Sequence, residues 1–190
     1  MKILITGANG FIGKNLKVEL ENRGYKDLLL CDVDTSSAEL RTQTKQCEFV
    51  FHLAGVNRPE KQEDFMEGNY GFTTQIIELL KENRSKAPIL MTSSIQALLG
   101  NPYGASKLAG EEYILEYSKD EDIPVYIFRL SNVFGKWSRP NYNSVVATFC
   151  YNIANGLPVQ INDGNVNLNL IYIDDVVNTL ISAMEGKEIP

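Results

Sequence analysis

The sequence has one histidine, one tryptophan, three cysteines, no basic run and no long apolar stretch. Each scarcity removes a class of function. His52 with Cys31, Cys47 and Cys150 has no metal-ligand spacing, so no metal site is expected. An odd number of cysteines makes a poor disulfide framework, and reduced thiols in a cytoplasmic protein are expected. A net charge of −6 without a basic cluster speaks against nucleic acid or an anionic membrane as a partner. No segment approaches the ~18 apolar residues of a membrane span. The opening MKILITG has too short an apolar run before its glycine to read as a signal peptide.

What is present is an ordinary globular balance, 44% hydrophobic and 22% charged over 190 residues, enough for one domain or one domain and part of another. Short apolar runs alternate with helical patterns. Strands are expected at 2–6, 27–32, 48–55, 88–94 and 124–130. Helices are expected from Phe11 to a C-cap at Gly24, around Ser36 to Thr44, over roughly 63–83, from the segment NPYGASKLAGEE onward, and over about 174–185. In the last of these, Val176, Val177, Leu180, Ile181 and Met184 share one face, and Gly186 follows as a stop. Such alternation predicts an α/β fold: a Rossmann-like, doubly wound, mostly parallel sheet covered by helices on both faces.

The first strand–helix joint reads ITGANGFIG, with Gly7, Gly10 and Gly13. Phosphate binding at a helix N-terminus needs exposed amides and a close backbone approach, which glycine permits. A plain tight turn is the alternative, and the position between a first strand and a first helix argues for a dinucleotide. Asn9, Phe11 and Ile12 belong to the same turn. Asp32 closes the second strand, 19 residues after Gly13, where a carboxylate can accept from an adenosine ribose. With Asp34 nearby and no arginine closer than Arg23 and Arg41, Asp32 favours NAD(H) over NADP(H).

In NPYGASK, Asn101 is an N-cap, Pro102 a first-turn residue, and Tyr103 and Lys107 lie at i and i+4 on one face. A tyrosine hydroxyl titrates near ~10, and a neighbouring ammonium is expected to draw it down toward catalytic use. An incidental pair on a surface helix is the plain alternative. A hydroxyl from the preceding MTSS would complete a catalytic set.

The chain resembles the extended short-chain dehydrogenases/reductases of the NAD-dependent epimerase/dehydratase family, which act on nucleotide sugars. The resemblance rests on TGANGFIG, HLAG, TSS, PYGASK, RLSNVFG and YIDDVV, which occur in the family's order over nearly the whole chain. It implies Tyr103 as general acid or base, Lys107 as its partner, and Ser94 as the catalytic serine. Ser94 stands three residues before Ala97, which holds the place of the usual valine; Ser93 is the fallback. Leu53, Ala54 and Gly55 would pass close to the cofactor beside His52, itself read as a structural histidine. Asn132 would contact substrate, and Asn69 would be structural.

A narrower resemblance, carried by HLAGVNRPE, SSIQALLGNPYGASKLAGE and FGKWSRPNYNSVVATFCYNIA, is to the N-terminal reductase domain of bifunctional capsule and O-antigen enzymes. These form a precursor of UDP-N-acetyl-L-fucosamine. It implies reduction by NAD(P)H of the C4 ketone of a UDP-linked 4-keto-6-deoxy acetamido sugar. It also implies Asn143 as a substrate contact, Arg58 and Lys136 as candidates for the diphosphate, and a homodimer. Residues 1–135 would form the dinucleotide-binding core. Residues 136–190 would begin the substrate region and return to the core at about 170–186. Extended members run on well past this point, so a fragment or a shortened protein without the cupin domain is expected.

Three departures from the family pattern bear on these expectations. Only eight residues separate Ser94 from Tyr103, a short loop shared with the narrower group. The segment from Asp32 to His52 is too short for two crossovers, so one strand and one helix should be missing. Leu168 stands where most nucleotide-sugar members carry an arginine. Ile95 and Gln96 replace the acid pair of a 4,6-dehydratase. A 4-epimerase with tightly bound NAD and a catalytically silent nucleotide-binding module remain open at this level.

Overall fold

The computed structural model describes residues 1–161 and 163–187. Five strands are built from the expected apolar runs: β1 (Ile3–Thr6), β2 (Leu28–Cys31), β3 (Phe49–His52), β4 (Ile89–Ser94) and β5 (Val125–Leu130). They pair in parallel in the order β2-β1-β3-β4-β5, in registers such as Ile3 opposite Leu28 and Phe49. β1 and β3 are buried throughout, whereas the edge strands β2 and β5 are largely half-buried. Continuous apolar runs in the centre are what two-sided coverage demands of a parallel sheet.

The helices form two layers. On one face α1 (Phe11–Asn22) and α6 (Ile173–Met184) enclose a core with Ile3, Ile5, Leu16, Phe51, Val177 and Leu180. On the other, α2 (Ser37–Gln46), α3 (Phe72–Glu82) and α4 (Pro102–Glu121) cover Leu4, Val50, Ile77, Leu80, Met91 and Ile114. The alternation of Ile3, Leu4 and Ile5 between these cores is the period-2 signature of a strand. A single crossover, through α2, joins β2 to β3, so the sheet lacks the strand that the short Asp32–His52 segment could not supply.

Helix ends follow local chemistry. Ser36 Oγ caps α2 by accepting from Glu39 N at 3.2 Å. Asn101 Oδ1 caps α4 by accepting from Gly104 N at 2.8 Å. Gly24 and Gly186, both at positive φ, follow α1 and α6.

The expected helix at 63–83 is interrupted: a π-helical turn spans Met66–Gly71 and regular α-helix begins only at Phe72. The wider turn directs Asn69 inward against Val56, with which it exchanges two hydrogen bonds of 2.9 Å. A short 3-10 turn, Ile95–Leu98, leads from β4 towards α4. Three further elements lie beyond the expectations: β6 (Asn132–Phe134) paired with β7 (Leu170–Tyr172), and α5 (Val145–Ala154), whose residues are all at least partly exposed.

Candidate active site

The chain winds from β1 outward to β2 and then crosses back to β3 on the other side of β1, so a crevice opens above the carboxyl ends of these strands. That is where open α/β sheets bind ligands. Two cavities lie along it. One, of about 770 Å3, is lined by Gly7, Gly10, Asp32, Leu53, Ala54 and Gly55. The other, of about 550 Å3, is lined by Phe11, Ile12, Ser94, Tyr103, Lys107, Asn132 and Asn143. Leu53 and Gly55 line both, so the two are halves of one cleft.

The glycine turn is built for close approach. Gly7 has φ +68°, and a Cβ there would lie 2.9 Å from the Ala54 backbone. A Cβ on Gly13 would lie 2.2 Å from the Gly7 carbonyl oxygen. Gly13 is buried and lines neither cavity; its part is to let α1 press against the turn. The N-cap of α1 is Gly10, with no side-chain cap and no acidic residue in the first turn. The first amides of the helix therefore face the cleft with no internal anion to satisfy them, a cradle suited to phosphate.

Asp32 lines the first cavity. Its Oδ2 accepts from Asn9 N at 2.6 Å and its Oδ1 from Val33 N at 2.9 Å. Each oxygen keeps a further acceptor site. Asn9 thus enters through its backbone, and its side chain lines neither cavity.

In the second cavity Ser94 and Tyr103 meet across the 3-10 turn. The expectation that Lys107 would draw the Tyr103 hydroxyl down is corrected by the structure. Burial of Tyr103 pushes its hydroxyl above the ordinary tyrosine range, with the Ser94 hydroxyl acting in the opposite direction. The Lys107 Nζ instead donates to the Thr92 carbonyl oxygen at 2.9 Å. Burial pushes the Lys107 ammonium down to about 8, against the Glu111 carboxylate one turn on. Ser94 Oγ also accepts from Gln96 N at 3.2 Å, which fixes the start of the 3-10 turn. Ser93 is buried beside it, with its hydroxyl turned to the Glu111 carboxylate rather than to the cavity's catalytic pair.

Glu111 is buried and receives Arg129 in bidentate fashion, Nε at 3.0 Å from both carboxylate oxygens. Burial raises the Glu111 carboxyl, but the Arg129 guanidinium, with the Ser93 hydroxyl and the Lys107 charge, outweighs it and holds the group below the usual range.

The remaining candidates separate. Asn132 and Asn143 line the second cavity, and Asn132 Nδ2 donates to Asn169 O at 3.3 Å. Lys136 is engaged elsewhere, 3.0 Å from Asp174, and lines neither cavity. Arg58 lies over the Tyr142 ring, 5.4 Å from its centroid, and Arg139 lies at 5.5 Å from the same centroid. Tyr142 in turn donates to Asn57 Oδ1 at 2.6 Å. Asn57, Phe65 and Gln96 line the second cavity, and the Phe65 ring sits 5.6 Å from that of Tyr103. Sequence reasoning missed Asn57, Phe65, Arg139 and Tyr142, and read Gln96 only as a departure from the dehydratase acid pair; most of these sit on loops, where no period marks them. Among the described residues no group of three or more His, Cys, Asp or Glu could hold a metal. No helix there is long and apolar enough to cross a membrane.

Comparison with known proteins bears on the fold and the family. The chain is 51% identical over 187 residues to a UDP-2-acetamido-2,6-beta-L-arabino-hexul-4-ose reductase of Pseudomonas aeruginosa, matching 98% of this chain and 50% of that protein. The crystal structure of the capsular polysaccharide assembling protein CapF from Staphylococcus aureus superposes with a TM-score of 0.89 at 46% identity, over 98% of this chain and 51% of the other. The chain thus spans about half the length of each. A UDP-glucuronic acid 4-epimerase of Bacillus cereus, in complex with UDP-glucuronic acid and NAD, shares the fold at a TM-score of 0.87 and 22% identity, over 100% of this chain and 74% of that one. With its sequence matched over residues 3–189, the chain belongs to the NAD dependent epimerase/dehydratase family.

Proposed function

We propose that this chain is the reductase part of a nucleotide-sugar enzyme. It reduces the C4 ketone of a UDP-linked 4-keto-6-deoxy acetamido sugar in capsule or O-antigen synthesis. The observation that carries the reading is the divided cleft: Asp32 in one cavity, Ser94, Tyr103 and Lys107 in the other, and the glycine turn with Leu53 and Gly55 where the two join. The 51% identity to a reductase named for a 4-ulose substrate supports the substrate class.

A reduced nicotinamide held along the cleft supplies the hydride. Ser94 donates to the ketone oxygen and polarises it. Tyr103 gives its hydroxyl proton to the oxygen that becomes the alcohol, a role that suits a phenol kept protonated by burial. Lys107 holds ribose hydroxyls and stabilises the phenolate left behind. The α1 amides take the pyrophosphate, and Asp32 accepts from the adenosine ribose, which favours NADH over NADPH. Asn132 and Asn143 contact the sugar nucleotide. Arg58, joined by Arg139, is the better diphosphate candidate, because Lys136 is paired with Asp174. A homodimer in the cytoplasm, with neither nucleic acid nor membrane as partner, completes the reading.

The test is a fluorescence titration with NADH and NADPH, followed by a UDP-4-keto-6-deoxy acetamido sugar. Stoichiometric oxidation of the bound cofactor is expected. Interconversion of 4-epimers with no net oxidation would replace the reductase by an epimerase. Failure to bind either cofactor would remove the reading.

A further inference from the structure

The single histidine ends β3, buried behind the cleft and next to Leu53, which lines both cavities, and it belongs to a chain of hydrogen bonds. Ala54 N donates to Thr6 Oγ1 at 3.2 Å, and Thr6 Oγ1 meets His52 Nδ1 at 2.8 Å. His52 Nε2 meets Thr73 Oγ1 at 2.9 Å, and Thr73 Oγ1 donates to the Asn69 carbonyl oxygen at 2.7 Å. The Asn69 side chain then clasps the Val56 backbone and donates to Ser106 Oγ at 2.9 Å. Ser106 Oγ donates to the Tyr103 carbonyl oxygen at 2.8 Å. Thr6, His52, Thr73, Asn69 and Ser106 are each at most 3% exposed, so water supplies none of these bonds.

Counting protons fixes the direction of the chain. The Thr73 hydroxyl proton is committed to Asn69, so Thr73 can only accept from the ring, and Nε2 must carry hydrogen. The ring must then accept at Nδ1, because Thr6 already accepts from Ala54 and has its own proton left to give. The opposite tautomer would strand the Thr6 proton and ask the single Thr73 proton to serve two acceptors. Buried polar groups left in that state are costly.

We propose that His52 is a positioning residue. Neutral and protonated on Nε2, it ties the Leu53–Val56 segment that lines both cavities to the N-terminal turn of α4, which carries Tyr103 and Lys107. The positioning role rests on the cofactor reading above; the bond chain itself does not. The π-helical turn is part of the device, because it places Asn69 between the two segments. Gly55 leaves room for Asn69, since a Cβ there would lie 2.7 Å from Asn69 Oδ1. Lys107 is the charged group that acts on the ring, and it disfavours a second ring proton, as burial does. Phe72 from α3 packs 5.7 Å from the ring and carries no charge.

Two measurements test this in the full chain. The first is a nitrogen-15 spectrum of the imidazole, unambiguous because there is one histidine. A protonated Nε2 and a bare Nδ1, unchanged between pH 5.5 and 8, are expected. The reverse tautomer, or titration near the ordinary histidine value, would overturn the proposal.

The second is NADH affinity well below the melting temperature. His52→Phe keeps the shape and removes both nitrogens; it should weaken NADH about tenfold, as loss of two buried hydrogen bonds implies. His52→Gln supplies one donor and one acceptor and should recover most of that loss. Thr73→Val, which removes the acceptor of Nε2 and the bond to the Asn69 carbonyl but leaves the imidazole in place, should weaken binding in the same direction and serves if His52→Phe does not fold. A folded His52→Phe that binds NADH like wild type would refute the positioning role. A wild type that binds neither cofactor would refute the cofactor reading and the positioning role with it, while the spectrum alone would still decide the bond chain.

Discussion

Asp32 Oδ2 accepts the backbone N–H of Asn9 at 2.6 Å, so the carboxylate that ends β2 braces the glycine turn at the end of β1. If the same carboxylate receives the adenosine ribose, Asp32→Asn should act on both. NADH affinity should fall about tenfold, the scale of one charge-assisted hydrogen bond. NADPH should be less affected, because the repulsion of a 2′-phosphate also goes. Parallel titrations with the two cofactors give the ratio, and an unchanged ratio would remove Asp32 from cofactor choice.

Tyr103→Phe should leave cofactor affinity within about threefold and lower turnover by ~10²-fold or more, the usual weight of a positioned acid. Single-turnover oxidation of bound NADH by the 4-keto sugar reads this directly. Because burial holds the Tyr103 hydroxyl above its ordinary range, wild-type turnover should show no tyrosine limb below about pH 10.

Lys107 gives a different limb. Its folded-state value of about 8 lies below the ordinary 10.5, so between these values the unfolded chain binds a proton that the folded chain does not. Stability should therefore rise with pH across this window, while cofactor affinity falls as the ammonium is lost. Burial raises the Cys47 thiol to about 11 from 9.0, which removes stability above pH 9. The diagnostic is therefore the difference between wild type and Lys107→Met from pH 7 to 10.5: the wild type should gain relative denaturant midpoint and lose relative NADH affinity.

The pair of Glu111 and Arg129 is unequal, and its two halves should respond unequally. Arg129→Met leaves a buried carboxylate without its counter-ion and should lower the urea midpoint clearly, though by less than loss of a partner in a fully buried pair, because Arg129 is part-exposed. Glu111→Gln leaves a guanidinium that can turn to water and should cost less. Urea unfolding of both variants checks the order; equal losses would mean that packing, not charge, governs the site.

His52 supplies the acid-side counterpart. Burial, with the Lys107 charge, pushes the imidazole down to about 3 from an ordinary 6.5. The unfolded chain binds the proton first, so stability should fall as pH drops from 6.5 towards 3. Carboxylates titrate in the lower part of that range as well. The diagnostic is therefore the difference between wild type and His52→Gln, which should open below about pH 6.5.

The central sheet was legible because β1, β3 and β4 are buried on both faces and must be apolar without interruption. The Tyr103–Lys107 pairing was legible because i and i+4 share a helix face. The direction of the Tyr103 shift was not, since it depends on how much protein surrounds the ring rather than on which residue lies one turn away. The π-helical turn escaped because a five-residue hydrogen-bond span leaves no apolar repeat; its purpose shows only in the contact of Asn69 with Val56. The helix Val145–Ala154 escaped because it fully buries no residue, so no polar–apolar alternation was imposed on it. Arg58, Arg139 and Tyr142 come together through loops, whose meeting point no spacing announces.

Gly55 carries one more consequence. Its backbone lines both halves of the cleft, yet a methyl group there would point away from them, at buried Asn69. It would collide with Asn69 and reach to 3.5 Å from the Lys107 ammonium. Alanine at position 55 would therefore act from behind the cleft wall, levering Asn69 off the Val56 backbone that it clasps.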